Sequence, residues 1–308
     1  MKVDSQFAIM EGIVLPDYAD VAAVRSWLKQ MMSGGMLKPK GDDDVAVEAL
    51  QIGGPAGAPD LGIRLYRPRS ASPAAALIHL HGGSLIMGDL DMEDAVCRRY
   101  CREAGCLVVG VDYRLAPENR YPAQVEDAYA ALVWTAANMG ELGLRGGRIA
   151  IGGHSCGGLL AAAVSIMARD RGGPSLALQL MIYPALDDRM DTPSMHQGFP
   201  FDVPSRAIIG HMWRHYLGGP GVAASPYAAP ARATDLSGLP PAYLEAGAID
   251  RVRDETIAYA SRLLQAGIPA ELHILAGAVH GFDVVTGAEI TERAYATRAA
   301  ALRRAFLA

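Results

Sequence analysis

The chain has 308 residues, of which 51% are hydrophobic and 20% are charged, and its formal net charge is −5 at pH 7. This composition is typical of a globular protein with a sizeable core, and it excludes intrinsic disorder and a basic surface for nucleic acid. No apolar run reaches the roughly 18 residues of a membrane span, and the first residues lack the pattern of a secretion signal. We therefore expect a cytoplasmic protein.

Residues 1–44 are predicted to form an N-terminal cap segment. Apolar residues recur at helical spacing from Val21 to Met32, and Ser33-Gly-Gly35 is a helix stop signal. The acidic run Asp42-Asp-Asp44 predicts a solvated turn. Because one face of this helix is apolar, we expect it to pack on another part of the chain.

A regular alternation of short strands and helices begins at residue 45. The predicted strands lie near 45–52, 62–67, 75–80, 106–112, 148–153, 177–183, 242–247 and 270–275, and the predicted helices near 91–104, 122–138, 156–170, 253–266 and 286–307. The first two strands are separated by a hairpin-length loop and should pair antiparallel. The later strands are short and continuously apolar, which predicts a mostly parallel sheet covered by helices on both faces. The main α/β domain is placed at 45–186 and 241–308.

The segment 187–240 interrupts this alternation. It has no predicted strand, and it carries several prolines around one amphipathic helix near 205–217. A connection of this length inside a compact domain is usually a lid or a binding loop. We predict a cap insertion that covers the carboxyl edge of the sheet together with residues 1–44; the alternative is a structural excursion with no role in binding.

The four cysteines are predicted to be structural thiols. Cys97 and Cys101 lie four residues apart on a predicted helix, which is also a spacing for metal ligands. No His/Cys cluster with metal spacing accompanies them, and free thiols are commonly buried. A disulfide framework is not expected for these residues or for Cys106 and Cys156.

The stretch from Arg148 to Ala163 reads as an apolar strand, a glycine turn and an alanine-rich helix. Its sequence Gly153-His-Ser-Cys-Gly157 fits the nucleophile-elbow pattern G-x-S-x-G in the required strand–turn–helix setting. Small residues two positions before and after Ser155 let the strand and the helix pass closely. The alternative is a glycine-rich connection with an incidental serine. The two interpretations are distinguished by whether the rest of the sequence offers partners for a nucleophile.

A serine nucleophile needs a general base, and open parallel sheets place their sites at the carboxyl ends of strands. His280 lies in a glycine-flanked loop directly beyond the last strand. The other histidines after Ser155 fall within that strand or within the cap insertion: His196, His211, His215 and His273. His280 is therefore the candidate base.

Asp250, directly after the seventh strand, is the candidate acid that orients this histidine. Asp254 and Glu255 lie in the first turn of the next helix, where acids interact favourably with the helix dipole, and are predicted to cap it.

An oxyanion also needs hydrogen-bond donors. Gly82 and Gly83, at the end of the third strand, and the N–H group of Cys156 are the candidates.

These motifs together resemble the hormone-sensitive-lipase-like carboxylesterases, of the bacterial family IV type, in the α/β-hydrolase superfamily. The resemblance covers about residues 62–283. It rests on six motifs in order: His81-Gly-Gly-Ser84, Asp112-Tyr-Arg-Leu-Ala-Pro-Glu118, Tyr121–Tyr129, the elbow, Asp250–Glu255 and His280-Gly-Phe282. It implies an α/β-hydrolase fold with an eight-stranded, mostly parallel sheet and a helical cap.

The resemblance also implies the roles of the site residues. Ser155 would be the nucleophile, His280 the general base and then acid, and Asp250 its orienting partner. Gly82, Gly83 and Cys156 would line the oxyanion hole; Glu118 would have a structural role. No metal and no organic cofactor is implied.

Three residues depart from the family's motifs. His154 and Cys156 stand where the family usually has aspartate and alanine around the serine, and Ser84 replaces a third glycine. None of them is a triad member, so the chemistry should survive. We expect His154 and Cys156 to alter the acyl pocket or the pH profile, and Ser84 to alter substrate preference.

The sequence therefore predicts a serine carboxylesterase that hydrolyses small, short-acyl esters through an acyl-enzyme. An amidase or deacetylase with the same triad is the nearer alternative, and a non-catalytic ligand-binding protein on this fold is a more distant one. Five aromatic residues of the cap either line the acyl or alcohol pocket or form cap core: Trp27, Phe199, Phe201, Trp213 and Tyr216. Relatives often form dimers through the edge of the last strand, here about 270–275, and the sequence leaves the oligomeric state open.

Overall fold

The structure is a computed structural model that describes residues 1–10, 12–33, 44–69, 72–144, 147–200, 203–219, 222 and 224–308. The predictions that concern Gly34, Gly35, Asp42, Asp43 and Phe201 lie outside these ranges. Within them, eight strands form one sheet in the order β1-β2-β4-β3-β5-β6-β7-β8. The strands are β1 Val45–Ile52, β2 Leu61–Pro68, β3 Ala76–Leu80, β4 Leu107–Asp112, β5 Ile149–His154, β6 Leu178–Ile182, β7 Ala242–Ile249 and β8 Ala270–Val279.

The sheet is mostly parallel, as the sequence predicts. β1 pairs antiparallel with β2, and β2 pairs antiparallel with β4. From β4 to β8 all neighbouring strands run parallel. Every residue of β3, β5 and β6 is buried, which explains why these segments read as continuous apolar runs in the sequence.

Helices cover both faces of the sheet. The helices are α1 Val21–Ser33, α2 Asp94–Ala104, α3 Ala123–Ala137, α4 Cys156–Asp170, α5 Pro193–His196, α6 Arg206–Leu217, α7 Arg253–Gln265 and α8 Glu289–Leu307. α2 packs with α8, and α3 packs with α4, while α7 shares a hydrophobic cluster with α4. In the part of the chain that is described, no helix has both the length and the hydropathy for crossing a bilayer.

The N-terminal segment and the insertion after β6 meet above the loop that follows β3. His215 Nε2 of α6 lies 2.9 Å from the carbonyl oxygen of Tyr18. Arg25 of α1 donates to both carboxylate oxygens of Glu118 and to the carbonyl oxygen of Ile86. Glu118 therefore fastens α1 to the body of the protein, in agreement with its predicted structural role. The division into cap and main domain stays a prediction.

A buried ion pair attaches the C-terminal helix to the sheet. Arg298 of α8 is completely buried, and its guanidinium donates to Glu245 of β7 and to Asp283 Oδ2 at 2.7 Å. Tyr243 OH donates to the same glutamate at 2.7 Å. A buried charge is tolerated only when it is paired, so each of these groups depends on the others.

Replacing Arg298 with methionine should lower the free energy of unfolding by about 3–5 kcal/mol, because two buried carboxylates lose their cation. Urea unfolding followed by circular dichroism measures the change. The matched control is Arg293→Met on the same helix, whose side chain is 60% exposed, and which should change stability by less than about 0.5 kcal/mol. Equal effects of the two substitutions would contradict the account of Arg298.

Candidate active site

Ser155 lies on the sharp turn between β5 and α4. Its backbone has φ 55° and ψ −118°, a conformation that few side-chain-bearing residues adopt. The turn is packed so tightly that a Cβ on Gly153 would lie 2.3 Å from the carbonyl oxygen of Leu80, and one on Gly157 would lie 2.0 Å from that same oxygen. The prediction that small residues must flank the serine at these two positions is confirmed.

The structure brings Ser155, His280 and Asp250 together in a chain of hydrogen bonds. Ser155 Oγ lies 3.0 Å from His280 Nε2, and His280 Nδ1 lies 2.9 Å from Asp250 Oδ2. The Asp250 side chain is completely buried, and its other oxygen accepts from the Val252 N–H at 3.1 Å. This arrangement can move a proton from the hydroxyl to the imidazole while the carboxylate holds the ring in place.

The two acids that were predicted to cap α7 accept hydrogen bonds from the loop after β6. Asp254 and Glu255 lie in the first turn of α7 as predicted, but Asp254 accepts from the Ser194 N–H at 2.7 Å. Glu255 accepts from the Leu186 N–H at 2.6 Å. They thus fix the loop after β6 to α7. Burial raises the pKa of Glu255 well above its ordinary value, and the charges of Asp187 and Asp250 add to this effect.

Gly82 and Gly83 follow β3 and line the cavity that also contains Ser155. A Cβ on Gly82 would come within 3.3 Å of the His154 carbonyl oxygen and 3.8 Å of Ser155 Cβ. Gly83 has φ +113°, and a Cβ there would lie 2.2 Å from the Met87 carbonyl oxygen. Among the described residues, the N–H groups of Gly82, Gly83 and Cys156 donate to no acceptor. They are therefore available to a bound oxygen atom.

The Cys156 side chain supports this glycine loop from inside the protein. It is completely buried, and Sγ accepts from the Leu85 N–H at 3.3 Å and lies 3.8 Å from Tyr113 OH. Burial raises the pKa of the thiol to about 11, although the hydrogen bonds from Leu85 and Tyr113 act in the opposite direction. The thiol thus faces the core and contacts the loop after β3. The expectation that it alters the acyl pocket or the pH profile stays a prediction, and this loop is the route by which it would act.

Ser84, the third departure from the family's motif, adopts the backbone conformation for which glycine is suited. Its φ is +55°, and Leu85 follows with φ +60°. Left-handed backbone at a residue with a Cβ costs about 1 kcal/mol or more, so the loop holds this strain. Ser84 also lines the cavity beside Ser155, which leaves the predicted influence on substrate preference open.

His154 belongs to a buried polar network that the sequence did not reveal. Its Nε2 lies 3.2 Å from Asp283 Oδ2 and 3.3 Å from Arg298 Nη1. Tyr183, whose OH donates to Asp283 Oδ1 at 2.6 Å, has its ring centre 4.6 Å from that of His280. The network thus connects the residue before Ser155 with the ring that packs on the candidate base. The only signal for it in the sequence was Asp283 itself, three residues after His280.

The network continues on the other side of His154. Glu93 Oε2 lies 3.6 Å from His154 Nδ1 and 2.9 Å from His79 Nε2. Burial opposes ionisation of Glu93, but the hydrogen bond to His79 and the neighbouring histidines prevail and lower its pKa to about 2. Burial also lowers the pKa of His79. The network therefore contains an ionised Glu93 carboxylate and a neutral His79 imidazole at neutral pH.

A cavity of about 410 Å³ lies beside Ser155 and His280. Both predicted cap segments contribute to its mostly apolar wall, with Met10, Ile13, Leu15, Trp27 and Leu28 from the first and Val203 and Pro204 from the second. Of the aromatic candidates, Trp27 lines the cavity, whereas Trp213 and Tyr216 are buried core residues. Phe199 lies near the guanidinium groups of Arg251 and Arg253.

An eight-stranded, mostly parallel sheet with a serine elbow after its fifth strand defines the α/β-hydrolase class. A family described as having the alpha/beta hydrolase fold matches residues 77–284. The chain belongs to this family, and its resemblance to the hormone-sensitive-lipase-like group is confirmed.

Relatives of established name agree with that assignment. Esterase LipI of Mycobacterium tuberculosis is 40% identical over 78% of this chain and 75% of its own length. Carboxylic ester hydrolase LipN of the same organism is 40% identical over 89% of this chain and 72% of its own length. Among solved structures, a bacterial heroin esterase superimposes with a TM-score of 0.93 at 39% identity, covering 99% of this chain and 98% of that one. The prediction of a carboxylic-ester hydrolase is confirmed.

Replacing Glu255 with glutamine should make the free energy of unfolding fall less as the pH rises. Because the folded-state pKa of Glu255 is raised, the unfolded chain gives up this proton first, near its ordinary pKa of 4.5. The wild-type free energy of unfolding therefore falls as the pH rises from there towards the folded-state pKa. In urea unfolding, the free energy of unfolding of the variant relative to that of the wild type should be higher at pH 8 than at pH 5. Glu48→Gln, at an exposed position of β1, is the control; a Glu255→Gln difference that does not depend on pH would refute the account.

Proposed function

We propose that the chain hydrolyses small, short-acyl carboxylic esters, with Ser155, His280 and Asp250 as a catalytic triad. The observation that carries this proposal is the pair of hydrogen bonds from Ser155 Oγ to His280 Nε2 and from His280 Nδ1 to Asp250 Oδ2, at 3.0 and 2.9 Å. These are the distances at which a positioned base accepts a hydroxyl proton. This series of hydrogen bonds begins at Ser155, which lines the cavity, and ends at the completely buried carboxylate of Asp250.

In the acylation step, Ser155 Oγ attacks the ester carbonyl carbon while its proton passes to His280 Nε2. The tetrahedral intermediate collapses as the bond between the carbonyl carbon and the alcohol oxygen breaks, and His280 gives its proton to that oxygen. Asp250 stabilises the imidazolium that exists between these transfers and fixes the ring so that Nε2 faces the serine. The alcohol leaves, and the acyl group stays on Ser155.

In the deacylation step, water attacks the acyl-enzyme. His280 Nε2 accepts a proton from the water, and the same nitrogen then returns a proton to Ser155 Oγ as the bond to the acyl carbon breaks. The carboxylic acid leaves, and the resting enzyme is restored. In this step His280 is the base and water is the nucleophile.

The oxyanion of both intermediates would accept from the backbone N–H groups of Gly82, Gly83 and Cys156. The support for this assignment is that these three groups have no protein acceptor among the described residues. Gly82 and Gly83 line the cavity beside Ser155, and Cys156 follows the serine directly. Cys156 also begins α4, and the N-terminus of a helix favours negative charge. A single oxyanion-hole donor is typically worth about 10²–10³ in kcat.

The size and lining of the cavity favour short acyl groups. Its volume of about 410 Å³ lies near the lower end of the roughly 300–1,000 Å³ of small-molecule sites. The wall contributed by the N-terminal segment is apolar, which suits an alkyl chain, and a volume at the lower end of this range favours a short one. Initial rates on p-nitrophenyl esters from acetate to laurate should therefore give the highest kcat/KM at the short end of the series, and a maximum at laurate would contradict this part of the proposal.

Two further expectations stay predictions. The cytoplasm is the expected location. The oligomeric state was left open by the sequence, with a homodimer through residues 270–275 as one arrangement. The order of strands supports that arrangement, because β8 is the last strand of the sheet and has a neighbouring strand on one side alone among the described residues.

Replacing Ser155 with alanine should reduce kcat for p-nitrophenyl acetate by about 10⁴-fold or more, because it removes the hydroxyl that contacts His280 and would form the acyl-enzyme. Steady-state rates on the purified chain measure this loss. Ser165→Ala is the matched control, since Ser165 lies on α4, the helix that follows Ser155, and its hydroxyl donates to the carbonyl oxygen of Ala161. Substantial turnover by Ser155→Ala would exclude the proposed mechanism.

A further inference from the structure

His79, Glu93 and His154 form a compact cluster of potential metal ligands next to the active site. All three are buried, and each offers one nitrogen or oxygen atom within 4.8 Å of the other two. The Glu93 Oε2 atom lies 2.9 Å from His79 Nε2 and 3.6 Å from His154 Nδ1. The cluster joins the end of β3, the segment before α2 and the last residue of β5.

His154 offers Nδ1 to this cluster. On the other side of the ring, its Nε2 lies 3.2 Å from Asp283 Oδ2 and 3.3 Å from Arg298 Nη1. Nδ1 lies 3.6 Å from Glu93 Oε2 and has no hydrogen-bond partner among the described residues. A buried polar atom without a partner costs free energy, and a cation bound between Nδ1 and the Glu93 carboxylate would supply one.

We propose that His79, Glu93 and His154 bind a divalent transition-metal ion of the zinc class. Two imidazole nitrogens and one carboxylate oxygen are a donor set that zinc prefers. A tetrahedral ion with bonds of about 2.0–2.1 Å spaces its ligand atoms about 3.3 Å apart. The two distances to Glu93 Oε2, 2.9 and 3.6 Å, lie on either side of this value.

The surroundings of the cluster also suit a bound ion. A metal-ligating histidine usually donates its other ring N–H to a carboxylate, which is the position of Asp283 relative to His154. Arg298 Nη1 lies 3.3 Å from His154 Nε2, and the charge of this guanidinium is balanced by Glu245 and Asp283. Glu93 and His154 both line the cavity beside Ser155, so an ion can enter there and take a fourth ligand from that side.

This inference departs from the expectation, based on the sequence, that the chain holds no metal. The departure arises because the three ligands are spread over 76 positions of the sequence, from His79 to His154, with no motif spacing to connect them. It is independent of the proposed esterase mechanism, since no step of that mechanism uses the ion.

Titration of the chelator-stripped, tag-free full chain with Zn²⁺ tests the site by calorimetry, and Co²⁺ serves as a second probe through its visible absorption. The wild type should bind one ion per chain, and Co²⁺ should give the intense bands of a tetrahedral site. His154→Phe and the isosteric Glu93→Gln should each weaken binding by more than the roughly 100-fold that loss of an outer partner costs. Circular dichroism establishes that each variant is folded, and either variant alone is sufficient for the test.

His211→Phe is the control, because His211 and His215 form an i, i+4 pair on α6 with ring centres 6.3 Å apart, which is a possible surface site. This variant should bind Zn²⁺ as tightly as the wild type. The proposal is overturned if the wild type shows no saturable binding, if folded His154→Phe and Glu93→Gln keep wild-type affinity, or if binding is lost in His211→Phe.

Discussion

The contact between the Ser155 turn and the end of β3 is the constraint on which the rest of the site depends. Glycines at 153 and 157 let the backbone of the turn approach the Leu80 carbonyl oxygen more closely than any Cβ allows. That approach brings Gly82 against the serine turn, and Gly83 lines the same cavity as Ser155. It also holds Ser155 in an unfavourable backbone conformation, which the buried strands and helix around it maintain.

Buried charge organises the second layer behind this turn. Arg298 connects α8 with β7 and with the loop that carries His280, through Glu245 and Asp283. Asp283 in turn contacts His154 and Tyr183, and Tyr183 packs against the His280 ring. Asp283 thus contacts both Arg298 of the C-terminal helix and Tyr183, which packs on the candidate base. A substitution at Arg298 can therefore affect the position of His280 through these contacts.

Much of the fold and of the candidate site could be predicted from the sequence. Buried parallel strands are continuous apolar runs, and Ser155, Asp250 and His280 each follow such a run, where a parallel sheet collects its functional residues. The partners of His154 could not be predicted, because Glu93 and Arg298 lie far away in the sequence and polar burial leaves no periodic pattern. Glu255 was assigned to helix capping for a similar reason: only the structure shows its contact with Leu186. The direction of the Cys156 side chain is likewise a result of packing.

If His280 and Asp250 make Ser155 the nucleophile, an organophosphate should label Ser155 covalently. The chain is treated with diethyl p-nitrophenyl phosphate, and the modified residue is located by mass spectrometry. The account predicts a single diethylphosphoryl group on Ser155, with release of one p-nitrophenolate per chain and matching loss of esterase activity. Inactivation that leaves Ser155 unmodified, or a label at another residue, would contradict it.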